Sequence, residues 1–106
     1  MSKEFSKLVK GNNNKSIPQN EIHLNKAIKA QNSGKSDEAI LLYEKCLRND
    51  EENIFILKNL ASIYIQSNNK EKTIKLLERI IELQPDDIAI YSILASTYLS
   101  INATDL

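Results

Sequence analysis

Apolar positions recur with a period near 3.6 residues from about residue 19 onward, and polar breaks divide that stretch into five segments. Ile22, His23, Lys26, Ala27 and Ala30 share one face of a first helix over roughly 19–32, and Pro18 stands where a helix starts at no cost in backbone donors. Asn32-Ser33-Gly34 ends it, with Gly34 supplying a left-handed turn. Ser36 is positioned to cap a second helix whose first turn holds Asp37 and Glu38, and whose stripe is Ala39, Leu42, Tyr43, Cys46 and Leu47. After a break at 49–53, a third helix over about 54–67 carries Ile54, Leu57, Leu60, Ala61 and Tyr64. Asn68-Asn69 turns the chain into a fourth helix over about 70–83, on Ile74, Leu77, Ile80 and Ile81. Gln84-Pro85-Asp86 closes that helix because proline cannot continue the ladder. A fifth starts near Asp87 and carries Tyr91, Leu94, Ala95, Tyr98 and Leu99.

The segments repeat. A shift of 34 residues superposes Ile22 on Ile56, Asn25 on Asn59, Ala27 on Ala61, Ser33 on Ser67, Ile40 on Ile74, Leu42 on Leu76 and Glu44 on Glu78. The next shift superposes Ile54 on Ile88, Ile56 on Ile90, Leu60 on Leu94, Ala61 on Ala95, Ser62 on Ser96, Tyr64 on Tyr98 and Asn68 on Asn102. Ala27, Ala61 and Ala95 therefore recur at one helical position, as expected where helices approach closely and a larger side chain overpacks. One hairpin cannot bury its own stripe, so stacking of hairpins supplies the core.

These residues resemble the tetratricopeptide repeat family. The second unit carries the pattern best, with Leu60, Ala61 and Tyr64 in its first helix, Leu77 in its second and Pro85 at the exit. The first unit shows Ala27, Gly34, Ala39, Tyr43 and Cys46, and the third shows Tyr91, Leu94, Ala95 and Tyr98. Ala30, Thr73 and Glu51 depart from the family pattern. The resemblance implies an all-α fold: a right-handed superhelical array of antiparallel helix hairpins, an α-solenoid, of five helices. Its units are 20–53, 54–87 and an incomplete 88–106, preceded by an N-terminal arm over 1–18.

Composition narrows the function. The net charge is zero, so no general attraction to nucleic acid or anionic membrane is expected. Residues 1–18 carry Lys3, Lys7, Lys10 and Lys15 against Glu4, a net of +3, which leaves −3 on the remainder. That arm, with Phe5, Leu8 and Val9 ahead of an asparagine run, reads as flexible and basic. No apolar run approaches the roughly 20 residues that span a bilayer, and the single cysteine fits a reducing compartment, so a cytoplasmic location is expected. His23 is the only histidine and Cys46 falls on a packing stripe; no metal, cofactor or catalytic set is expected. Asp50-Glu51-Glu52 and Asp86-Asp87 lie at helix starts, where capping explains them. Asn14-Lys15-Ser16 and Asn102-Ala103-Thr104 match the glycosylation triplet without a secretory signal.

The expected role is therefore non-enzymatic: a scaffold that binds a protein or peptide partner of unknown identity. In the resembled family the first helix of each hairpin lines a concave groove. Helical spacing then assigns to it Leu24, Ile28 and Gln31; Phe55, Lys58, Asn59 and Ser62; and Ala89, Ser92, Ser96 and Leu99. That face is largely uncharged. Chaperone-binding members of the family clamp a carboxylate terminus with Lys, Arg and Asn, and only Asn59 resembles part of that set, so an apolar or amphipathic segment is the expected ligand. Two other expectations stand beside this one. The array serves as the N-terminal accessory region of a larger enzyme, such as a glycosyltransferase or sulfotransferase. Or it is a homo-oligomeric structural adaptor, self-associating through an open apolar face on the fifth helix.

Overall fold

Each helix is placed by how its ends are closed. The computed structural model describes residues 18–105, which form α1 (Pro18–Asn32), α2 (Ser36–Asn49), α3 (Ile54–Gln66), α4 (Lys70–Leu83) and α5 (Ile88–Asp105), with no strand among them. The basic arm lies outside the described residues. The chain divides between Glu51 and Glu52 into two compact units.

In the first unit α1 and α2 pair as a hairpin. Gly34 closes α1 at φ 79°, and Lys35 N–H reaches back to the Ala30 carbonyl at 2.8 Å, the six-to-one bond of a Schellman end. The expected cap at Ser36 is corrected. Lys35 is the cap residue and makes no side-chain capping bond, because the tight turn leaves Ser36 already inside the helix. Asp37 and Glu38 do occupy the first turn. Both ends of the hairpin are tied. Near one end the Tyr43 hydroxyl donates to Gln31 Oε1 at 2.6 Å. At the other, Asn20 Nδ2 donates to the Cys46 carbonyl at 3.3 Å, Cys46 Sγ donates to the Asn20 carbonyl at 3.4 Å, and Asn49 Nδ2 donates to Asn20 Oδ1 at 2.9 Å. Residue 31 opposite 43, and 20 opposite 46 and 49, is the pairing of antiparallel helices. Ala27, Ala30, Ala39, Tyr43 and Cys46 form the buried interior of the hairpin.

In the second unit α3 packs on α4, and α4 on α5. Asn53 caps α3 by accepting from Ile56 N–H at 3.0 Å, and Asn69 caps α4 by accepting from Lys72 N–H at 3.2 Å. The α3–α4 turn repeats the α1–α2 turn one period later. Asn68 stands 34 residues after Gly34 and takes φ 61°, and Asn69 N–H reaches the Tyr64 carbonyl at 2.9 Å. Asparagine tolerates that left-handed state better than other residues with a Cβ. The core is Ile56, Leu57, Leu60, Ala61, Ile63 and Tyr64 of α3, Leu77 and Ile80 of α4, and Ile90 of α5. Burying a side chain such as Leu77 or Ile80 stabilises by about 1.5–3 kcal/mol each. Thr73, also buried, donates Oγ1 to the Asn69 carbonyl at 2.8 Å, and no buried side-chain polar atom among the described residues lacks a partner. Lys72 lies 5.3 Å above the Tyr64 ring and adds a cation–π contact.

On α5 the structure decides which apolar residues pack. Ile90 is buried and Leu94, Thr97 and Ile101 are half-buried, so that stripe, spaced four, three and four residues, faces the unit's interior. Of the five apolar residues named on this helix from sequence, Tyr91, Ala95, Tyr98 and Leu99 are exposed. The reason is that α5 is apolar on nearly every side, so periodicity alone cannot choose its inner face. Its tyrosines reach back instead: Tyr91 donates to the Pro85 carbonyl at 2.9 Å and Tyr98 to Glu78 Oε2 at 2.8 Å.

Candidate functional site

The second unit contains an open cleft between α3 and α5. Two hollows of about 240 and 350 Å³ make it up, and Ile65 and Ile93 line both. Its geometry follows from helix order. With α4 packed against both α3 and α5, α3 and α5 stand on either side of a floor to which α4 contributes Leu77 and Ile80 in the smaller hollow and Thr73 in the larger. Ile65 and Ile93 are 44 % and 37 % exposed, which leaves them available to a ligand at the centre of the cleft.

Around the two isoleucines the rim is small and polar. Ser62 and Ala89 border the smaller hollow; Ser92, Ser96, Thr97 and Ser100 border the larger. Thr97 turns its hydroxyl to the Ile93 carbonyl at 2.8 Å. Charge is confined to a few positions. Lys58 and Asp87 stand in the smaller hollow, joined by an ion pair of 2.8 Å between Nζ and Oδ2, and Lys70 borders the larger. Lys58 holds the Asp87 carboxyl below the usual carboxylate range, first by its hydrogen bond and further by its charge. Backbone N–H groups of Ile90 and Ala89, at the start of α5, act in the same direction. From Ile88 to Thr104 the sequence has no Asp, Glu, Lys or Arg, so α5 brings no formal charge to the cleft wall.

Five of the residues assigned to a groove from sequence meet here: Lys58, Ser62 and Ala89 in one hollow, and Ser92 and Ser96 in the other. Phe55 is half-exposed and Asn59 half-buried on α3 outside the cleft lining, and Asn59 Nδ2 is engaged by the Phe55 carbonyl at 2.7 Å. Leu99 is 68 % exposed and also outside the lining. Leu24, Ile28 and Gln31 belong to the first unit; all three are half-buried, and Gln31 accepts the Tyr43 hydroxyl. Sequence reasoning did not assign Ile65 or Asp87 to the site, and it met Ile93 only as an apolar residue standing where the family's carboxylate clamp has a polar one. Helical spacing offered a signal for the two isoleucines, since Ile65 lies three residues past Ser62 and Ile93 four past Ala89.

A family model described as tetratricopeptide repeat matches residues 31–97. The chain belongs to the tetratricopeptide repeat family. No curated protein matches it. Tetratricopeptide repeats generally mediate protein–protein interaction, and the paired hairpins with a 34-residue period are the form of the family seen in this chain. Among the described residues, no three His, Cys, Asp or Glu side chains gather where they would hold a metal ion. No described helix is long and apolar enough to cross a membrane.

Cys46, the one thiol, serves packing in this tetratricopeptide chain. It is buried against α1, and burial pushes its ionisation up from the ordinary value. Tyr43 is shifted the same way, by burial first and by the neighbouring Cys46 second.

Proposed function

We propose that this tetratricopeptide chain is an interaction module that holds an uncharged, partly apolar segment of a partner protein in the cleft between α3 and α5. The observation that carries this reading is the exposed pair Ile65 and Ile93, which lines both hollows, with serine, threonine and alanine around them. Exposed apolar side chains ringed by small polar ones suit a peptide whose side chains alternate between the hollow and water. Lys58, Ser62, Ala89, Ser92 and Ser96 are the flanking contacts in this reading.

The test uses acetylated, amidated octapeptides drawn from Ala, Leu, Ile, Ser, Thr and Asn, presented to the full chain. The Ile65→Asp, Ile93→Asp double variant is expected to lose retention of the pool while its circular dichroism still shows the helices, because both side chains are partly exposed and each carboxylate can reach water. Ile22→Asp, at a site on α1 that is 53 % exposed, serves as the control and is expected to bind normally. Equal retention by all three proteins refutes the cleft.

A second reading rests on the outward side of α5. Ile88 is 77 % and Leu99 68 % exposed there, and the absence of formal charge from Ile88 to Thr104 lets two copies of α5 meet without repulsion. In this reading the chain is a homodimer. Light scattering decides it: a dimer converted to monomer by Leu99→Glu supports it, and a monomer at high concentration refutes it.

A further inference from the structure

The charged groups of the smaller hollow are arranged to cancel. Lys58 comes from the middle of α3 and Asp87 from the residue before α5, and their 2.8 Å contact spans the cleft at that end. The lysine side chain is 43 % exposed and the aspartate 19 %. The less exposed partner is also tied to the start of α5, since the Asp87 main-chain carbonyl accepts from Ile90 N–H at 3.2 Å. The lysine therefore faces a fixed carboxylate supplied by the chain itself, present at an effective concentration that a free ligand does not match. Its depressed ionisation agrees with a carboxylate that stays charged through the neutral range.

We propose that Asp87 is the specificity-determining residue of the cleft: by occupying Lys58 it makes the hollow beside Ser62 select uncharged segments and reject acidic ones. This rests on the reading of the cleft as a peptide site. An acidic side chain entering this end meets a cation already paired and an Asp87 carboxylate of its own sign, so it gains no ion pair and is repelled. An uncharged segment disturbs neither group. Removing the negative charge of Asp87 alone turns the same hollow into a site with an unpaired cation, and its preference reverses.

The experiment compares two pools of acetylated, amidated octapeptides on the full chain. One pool is uncharged as above, and the other carries a single glutamate at a random position. Asp87→Asn is the informative variant, because asparagine keeps the shape of aspartate while losing the charge. The wild-type chain is expected to retain the uncharged pool in preference to the glutamate pool. In Asp87→Asn the ratio is expected to move toward the glutamate pool by about threefold or more, the scale of a partly exposed ion pair. Adding Lys58→Met to Asp87→Asn is expected to cancel that gain. If Asp87→Asn and wild type share one ratio while both retain the uncharged pool, Asp87 does not set specificity and the cleft reading stands. If the wild-type chain retains neither pool, the cleft reading fails and this inference falls with it. Circular dichroism of each variant confirms that the helices persist.

Discussion

The three alanines related by the 34-residue period face different surroundings, and one substitution separates them. Ala27 has no exposed surface, Ala61 is 3 % exposed but borders the 240 Å³ hollow, and Ala95 is exposed. Leucine at any of them adds three carbon atoms. At Ala27 these have no free volume, so α1 and α2 must separate or leucine must leave its preferred rotamer, at about 1–3 kcal/mol. At Ala61 part of the added volume enters the hollow, and the loss is smaller. At Ala95 the added atoms meet water, and the change stays within about 0.5 kcal/mol. For a domain of this size 1 kcal/mol moves the thermal midpoint by about 4–8 °C, so Ala27→Leu is expected to lower it by about 4–24 °C. The midpoint is read by far-ultraviolet circular dichroism, with a urea titration beside it because repeat proteins do not always melt as one unit. The expected order of damage is Ala27, then Ala61, then Ala95. Equal shifts at Ala27 and Ala95 would refute the assignment of buried and open faces.

Three further outcomes are expected. Gly34→Ala lowers stability by about 1–2 kcal/mol in chemical denaturation, purely from backbone strain at φ 79°, since a Cβ there meets nothing within 4 Å; no loss would refute the left-handed turn. Asn53→Ala and Asn69→Ala each cost about 0.5–2 kcal/mol, whereas Lys35→Ala, at a cap position without a capping bond, costs little by the same measurement. Tyr43 and Cys46 both hold their protons more tightly folded than unfolded. Their contribution is thus fully present below the unfolded values of 10.0 and 9.0 and is lost as pH rises through the raised folded values. The α1–α2 hairpin should loosen in alkali, Cys46 should react with a thiol reagent only as it does so, and a thiol that reacts at once at neutral pH would contradict its burial.

Much of the architecture is legible in the sequence because it is local. The starts of α1, α3 and α4 follow from Pro18, Ile54 and Lys70, and the Gly34 and Asn68 turns stand one period apart. What escaped sequence reasoning depends on tertiary placement. The inner face of α5 could not be chosen by periodicity, because apolar residues surround that helix, and Ile90 was won for the core by packing against α4. Lys58 and Asp87 are 29 positions apart, and neither has a local pattern that announces the other. The Ser36 cap failed for a local reason that only geometry reveals, since Lys35 closes one helix and opens the next.

The most direct measurement is an amide nitrogen–proton spectrum of the isotope-labelled full chain, titrated with the uncharged octapeptide pool. A segment seated in the α3–α5 cleft is expected to shift the amides of Ser62, Ile65, Ala89, Ile93 and Ser96 and to leave the α1–α2 hairpin unmoved. Changes confined to α1 and α2, or none at any concentration, would contradict that seating.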